Sequence, residues 1–318
     1  MATDVYTSFV RVHAAGARHA HGTPAFLPWH RVFLLEFEDA LRVVDPRVTL
    51  PYWDWSADAA NPASSPVWGA DILGGSTPGL CIPDGPFAGA TVQLPRPHCV
   101  RRGFTTTGRG PPSMGGATFD EPPVLAALIN GNTSYSDFAA AVEFSHGAPH
   151  VAVGSAQLRG ANAGDMALVS SSANEPAFYL HHTFIDSLWA RRQAVHGATD
   201  YGGPPGRAPA RPSDSLSLFG AATVANTFSL PCVTYAAPVA AAAAAAAAAP
   251  APRGRSARGS TLPRSRAEAV VEAARARREA VQVAFARAGG RGAEAVERAR
   301  RVVAAAATDA FVAGALVV

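Results

Sequence analysis

Apolar residues recur at helical spacing in several stretches of this chain. In PWHRVFLLEFEDALRVV, residues 28–44, His30, Leu34, Phe37, Leu41 and Val44 fall on one face, the stripe of a helix packed on a core. Pro28 is admissible in a first turn, and Asp45-Pro46 stops the pattern because a residue before proline is driven out of the helical region. Residues 5–15 predict the end of another helix, with Phe9 and His13 on one face, and residues 16–27 predict a loop. PPVLAALIN and SYSDFAAAVEF predict two short helices, the second with Ser136 as N-cap. A further helical turn or more is expected around His146–Val153, then loop over residues 155–175. Pro176 is predicted to open a helix running to about Val195. Phe178, His182, Ile185 and Trp189 share its apolar face, and His181 lies about 100° round from that face.

The segments between are irregular. TLPYWDWSAD is short and aromatic and is expected to pack on the helices. Residues 57–120 are rich in Gly, Pro, Ser and Thr, a long excursion of the kind that marks a functional or surface loop. Residues 197–236 are Pro/Gly/Ser-rich, with a short strand expected in SLPCVTY. Ten alanines, Ala240 to Ala249, stand between Pro238-Val239 and Pro250, a linker by composition. The division this implies is a domain over 1–237, an Ala/Pro-rich linker over 238–252, and an Arg/Ala-rich helical or disordered tail over 253–318. The pattern is mainly α with little β, and there is no tandem repeat.

Composition refines that division. The chain has 318 residues, 48% of them hydrophobic, enough for a substantial core. Its net charge of +3 hides an asymmetry: residues 250–318 carry 13 arginines against 6 acids, the rest 14 against 18. Every basic residue is arginine, which is the mark of coding bias; aromatics are not interleaved with the arginines, so no nucleic-acid surface is expected. Cys81, Cys99 and Cys232 form no CxxC pair, which excludes a zinc ribbon. Cys81 and Cys99 bracket a Gly/Pro-rich loop and are either bridged, which would imply an oxidising compartment, or free. MATDVYTSFVRVH lacks the basic and apolar regions of a secretory leader. It enters a helical pattern almost at once, so residues are expected to be missing before it. The alanine run and FVAGALVV are too short to span a bilayer. Secretion or a lumenal site follows only if the cysteines are bridged, and nothing specifies an oligomeric state.

The chain spends ten histidines, at positions 13, 19, 21, 30, 98, 146, 150, 181, 182 and 196. His13, His30 and His182 lie on or beside apolar helical faces, and His146 and His150 are spaced i, i+4. A single histidine on such a face is ordinarily a hydrogen-bonded core residue. Several facing one interior leave lone pairs without partners, and buried polar groups need partners; a metal supplies one. Imidazole suits Zn, Cu, Fe and Ni. No carboxylate sits at HExxH spacing, against zincins. Two three-coordinate sites of neutral ligands favour copper, each metal keeping an open position for oxygen.

These segments also carry a resemblance. HGTPAFLPWHRVFLLEFEDAL resembles the first copper motif of tyrosinases and related type 3 copper proteins. LPYWDWSAD and GPFA resemble the segments after it, and HGAPHVAVG with NEPAFYLHHTFIDSLW resembles the second copper motif. The resemblance spans residues 5–236. It implies a four-helix bundle around two copper ions, with O₂ as co-substrate and a small phenol or catechol as substrate. His13, His21 and His30 match the ligands of the first copper, and His146, His150 and His182 those of the second. His21 is favoured over His19 by its nine-residue step to His30. His19 stands where some relatives carry a crosslinked cysteine. The resemblance implies His182 as the ligand of the HH pair, and places His181 beside the site. Asp186 would orient its helix or a neighbour such as Arg31. Phe178 matches a phenylalanine packed against the site, and Glu143 resembles a glutamate that holds a water near the second copper. Its companion asparagine is replaced by Gly147, which has no side-chain acceptor. Diphenol oxidation with weak or absent monophenol hydroxylation is therefore expected. Pro149 fits only a first turn, which puts the i, i+4 pair at a helix start. CVTY, ending at Tyr235, resembles the motif that closes the catalytic domain. His98 and His196 are expected to be non-ligands, and the tail lacks an aromatic plug for the site. The alternatives are a haemocyanin-like oxygen-binding protein, or a truncated homologue without activity.

Overall fold

A computed structural model describes residues 4–77, 80–104, 119–131, 133–154, 163–204, 210–229 and 233–236. The alanine linker, the tail and Cys232 lie outside the described residues. The first helix, α1, runs Val5–Ala20 and is capped by Asp4, whose carboxylate accepts from Thr7 N–H at 2.7 Å. Helix α2 spans Phe26–Val44. The loop expected over 16–27 is thus mostly helix. Gly16 reads as a breaker, but it is a contact: a Cβ there would meet Trp29 Cζ2 at 2.3 Å. The missing side chain lets α1 lie against α2, and alanine-rich sequence carries the helix on to Ala20.

Helix α3 covers Pro122–Asn130 and α4 Tyr135–Val153. The cap of α4 is Ser134, two residues before the expected Ser136; its Oγ accepts from Asp137 N–H at 3.2 Å. The stretch around His146 does not begin a helix but continues α4, with Pro149 inside it. Helix α5, Ala177–His196, is buried without interruption from Ala177 to Trp189. It packs against α2, α3 and α4, while α1 lies on α2. Such a helix has no solvent face, so a single apolar stripe describes it poorly.

The excursion after α2 supplies aromatic packing and the described strands. Tyr52, Trp53 and Trp55 are buried in the core beside Phe184 and Trp189. Strands β1 (Leu80–Cys81), β2 (Thr91–Val92), β3 (His98–Cys99) and β4 (Arg101–Arg102) form two antiparallel pairs, β1 with β4 and β2 with β3. The Cys81–Cys99 disulfide closes this loop, the bridged one of the two cysteine alternatives. No strand forms over Val233–Tyr235, and residues 230–232 of the expected strand are outside the described residues. The Tyr235 hydroxyl instead donates to the carboxylate of Asp186, which fastens the end of the described chain to α5.

Two buried ion pairs tie α5 in place. Arg31 Nε donates to Asp186 at 2.6 Å, and its guanidinium lies 3.7 Å from the Trp189 ring centre. Arg102 pairs with Glu175 at 2.6 Å, and Glu175 also accepts from Ala177 N–H at the start of α5.

Gly16→Ala should destabilise the fold, although alanine is the better helix former by about 1 kcal/mol. Overpacking against Trp29 costs about 1–3 kcal/mol. Urea unfolding should show a lower midpoint than the parent chain; an equal or higher one would contradict the close contact.

Candidate metal centre

Two groups of histidines meet in the interior between these helices. His13 from α1, His21 at the end of α1 and His30 from α2 form the first. His146 and His150 from α4, with His181 and His182 from α5, form the second. Within each group every member offers a ring nitrogen within 4.8 Å of the others'. The groups adjoin: the His30 and His182 rings stack with centres 4.4 Å apart. Phe178 lies beneath both, 4.8 Å from His13, 4.2 Å from His182 and 5.9 Å from His150, and is fully buried.

Main-chain carbonyls set the direction of four rings. His21 Nδ1 is 3.1 Å from Ala17 O, and His30 Nδ1 is 2.8 Å from Phe26 O. His146 Nδ1 is 2.5 Å from Glu143 O, and His150 Nδ1 is 2.9 Å from Met166 O. A carbonyl only accepts, so each Nδ1 carries the proton and each Nε2 presents a lone pair. The Nε2 atoms then face one another: His30 to His13 at 3.5 Å, and His150 to His182 at 3.2 Å.

Charge cannot relieve that opposition. Burial first, and then neighbouring histidines, push the pKa values of His13, His30, His146, His181 and His182 well below the usual range. Burial also lowers His21, and it takes His150 down to about 4. The rings are neutral near pH 7. Among the described residues His182 Nδ1 has no hydrogen-bond partner, while His13 and His181 have main-chain neighbours at Val169 and His146. Facing lone pairs in a buried all-imidazole cage fit a late first-row cation such as copper, with the other ring nitrogen hydrogen-bonded as such ligands require.

His181 is expected beside the site, and its ring stacks on His146 at 5.4 Å and lies 4.9 Å from His150. The reason is the all-round burial of α5: a residue 100° off the main stripe still faces the interior. The run FYLHHTFIDSLW contains one charged residue in twelve, which was the available signal. Glu143 acts in two places, since its main chain holds His146 and its carboxylate accepts from Gly22 N–H at 2.7 Å. Burial raises its pKa. Asp186 and Arg31 are joined to each other and reach no metal-site nitrogen. His19 is exposed, His196 meets Ile129 O at 2.9 Å, and His98 meets Asp165. Carbonyl acceptors such as Met166 O carry no residue-type signature, so sequence reasoning could not name them.

A family model described as the common central domain of tyrosinase matches residues 3–195. The chain belongs to the tyrosinase family. The tyrosinase of Streptomyces glaucescens is 38% identical over 219 residues, covering 62% of this chain and 75% of that protein. The Streptomyces lincolnensis tyrosinase is 36% identical with the same coverage. The grixazone synthase of Streptomyces griseus is 32% identical over 245 residues, covering 60% and 76%. A polyphenol oxidase structure from Thermothelomyces thermophila aligns with a TM-score of 0.49 at 24% identity, over 60% of this chain and 59% of that one. Tyrosinase membership implies a dinuclear type 3 copper oxidoreductase acting on small phenols, and both histidine groups are compatible with copper. No helix among the described residues is long and apolar enough to cross a membrane.

The depressed histidines also set a pH dependence. Below the ordinary value of 6.5 and above the folded value, about 4 for His150, the unfolded chain binds more protons than the folded one. Metal-free stability is therefore full above pH 6.5 and falls toward pH 4, by about 1.4 kcal/mol per pH unit for His150. Urea midpoints of the metal-free chain should drop between pH 7 and pH 5; equal midpoints would contradict neutral burial.

Proposed function

We propose that this chain is an o-diphenol oxidase, with His13, His21 and His30 holding one copper and His146, His150 and His182 the other. The observation that carries the reading is the pair of opposed Nε2 contacts, one in each group, formed by neutral rings whose Nδ1 atoms are already engaged where a carbonyl is near. His182 is preferred over His181 because its Nε2 faces His150 and its ring lies on His30, between the two groups. His181 lies on the side of His146 and Trp55.

Copper bound there would supply oxygen activation. The chain's own residues supply placement. Carbonyl clamps hold four rings in one tautomer and orientation. Phe178 closes the floor of both pockets and keeps water out. Glu143, with a raised pKa next to Gly22 and His146, is the candidate to accept a proton from the phenolic hydroxyl. Each catechol loses two electrons and two protons to become an o-quinone; two catechols reduce one O₂ to two waters. Hydroxylating a monophenol demands one more deprotonation, and Gly147 offers no side chain to order a water for it. The copper domain is assigned to residues 1–237, with 238–252 as linker and 253–318 as a tail outside the chemistry, on composition alone.

Oxygen uptake by the copper-loaded chain with catechol tests this reading. The parent chain should bind two coppers and consume oxygen as quinone appears. His182→Ala should lose one copper and nearly all uptake, whereas His181→Ala should keep both coppers. Two bound coppers with no uptake would replace the oxidase with an oxygen-binding protein; fewer than two in the parent chain would reject the site.

The space beside Gly147 is open, with no atom within 4 Å of an added Cβ. Gly147→Asn should therefore fold and raise hydroxylation of tyrosine relative to catechol oxidation. One added hydrogen-bonding group is worth about 1 kcal/mol, roughly fivefold in that ratio. An unchanged ratio would remove Gly147 as the cause of weak monophenol chemistry.

A further inference from the structure

His98 and the disulfide-closed loop that carries it have no part in the chemistry above, yet they reach the second histidine group through an unbroken set of contacts. His98 Nδ1 is 2.6 Å from Arg96 O, and Nε2 is 3.0 and 3.2 Å from the two carboxylate oxygens of Asp165. The same carboxylate accepts from Arg101 N–H at 2.9 Å and from Asn174 Nδ2 at 2.8 Å. Asp165 is the shared acceptor of these donors. Burial raises its pKa, and the donors from Arg101, Asn174 and His98 oppose that rise. Both nitrogens of His98 thus face acceptors, the Arg96 carbonyl and the Asp165 carboxylate, whose side chain is 2% exposed against 18% for His98.

Asp165 opens the 3-10 turn Asp165–Ala167. The next residue, Met166, offers the carbonyl that accepts a hydrogen bond from His150 Nδ1–H at 2.9 Å. The carboxylate therefore anchors the turn that aims His150. Four residues along the same loop, Arg102 holds Glu175, which caps Ala177 at the start of the helix bearing His182. Cys81–Cys99 closes the loop between these two grips.

We propose that His98 is a positioning residue for the second copper, its ring Nε2 fixing Asp165 and thereby the Met166 carbonyl that orients His150. This rests on the reading that His150 and His182 hold that copper. An outer partner of a metal-binding histidine typically changes affinity by about 10–100-fold.

Copper dissociation constants of the full chain, measured by competition with a chelator, test the proposal. His98→Ala should weaken one of the two coppers by about 10-fold or more and leave the other unchanged. In a His182→Ala background, which lacks the second copper, it should have no effect. His98→Arg, a cation with several donors, should recover most of the lost affinity. Asp165→Asn, which turns an acceptor toward a donor, should match His98→Ala, and the two together should be no worse than either. A merely structural role would lower the melting temperature of the metal-free chain, weaken both coppers alike and persist in the His182→Ala background; that pattern would overturn the proposal. So would parent affinity at both coppers in His98→Ala. Should His98→Ala fail to fold, His98→Arg and Asp165→Asn carry the same comparison. A parent chain that binds fewer than two coppers would instead remove the underlying reading, and this inference with it.

Discussion

Seven imidazoles share one interior, and their neutrality governs what surrounds them. A buried polar group without a partner costs about 1–3 kcal/mol, and this cage leaves the opposed Nε2 atoms and His182 Nδ1 in that condition. A carbonyl accepts a hydrogen bond from the Nδ1–H of each of four rings, which directs the remaining lone pairs inward. The interior is thereby prepared for cations before any arrive. The same opposition weakens the metal-free fold as acid is added, because protonated rings cannot be accommodated side by side.

Such a cage requires stiff walls. Helix α5 supplies one by being buried on every side from Ala177 to Trp189, with the Tyr179 ring stacked on Phe37. It is held by charge at its start, through Glu175 with Arg102, and at its middle, through Asp186 with Arg31. Breaking one partner of a buried pair leaves an uncompensated charge, so these pairs restrict where the helix can sit. The loop between Cys81 and Cys99 acts from outside. It is irregular, and yet it grips the turn before α5 through His98, while Arg102, just beyond it in β4, holds the helix start.

Much of the centre was legible in the residues. Helical spacing put His30 on the buried side of α2 and His182 on that of α5, and the i, i+4 spacing of His146 and His150 placed both on one face of α4. Local breakers were less faithful. Gly16 and Pro149 both read as interruptions, and both lie inside helices. Gly16 is small because Trp29 needs its place, a demand made by another helix. The resemblance places His181 beside the site, and the structure sets its ring among those of His146 and His150.

The sequence by itself determined the donors and their register, since residue type and helical period decide which nitrogens share a face. It also announced the tyrosinase family through two motifs in order. Only the tertiary structure decided which carbonyl meets each Nδ1, that His181 joins the second group, and that His98 pairs with Asp165 across 67 residues. Those are relations between segments distant along the chain, made by packing, and main-chain carbonyls are the same at every position until folding brings one of them near a ring.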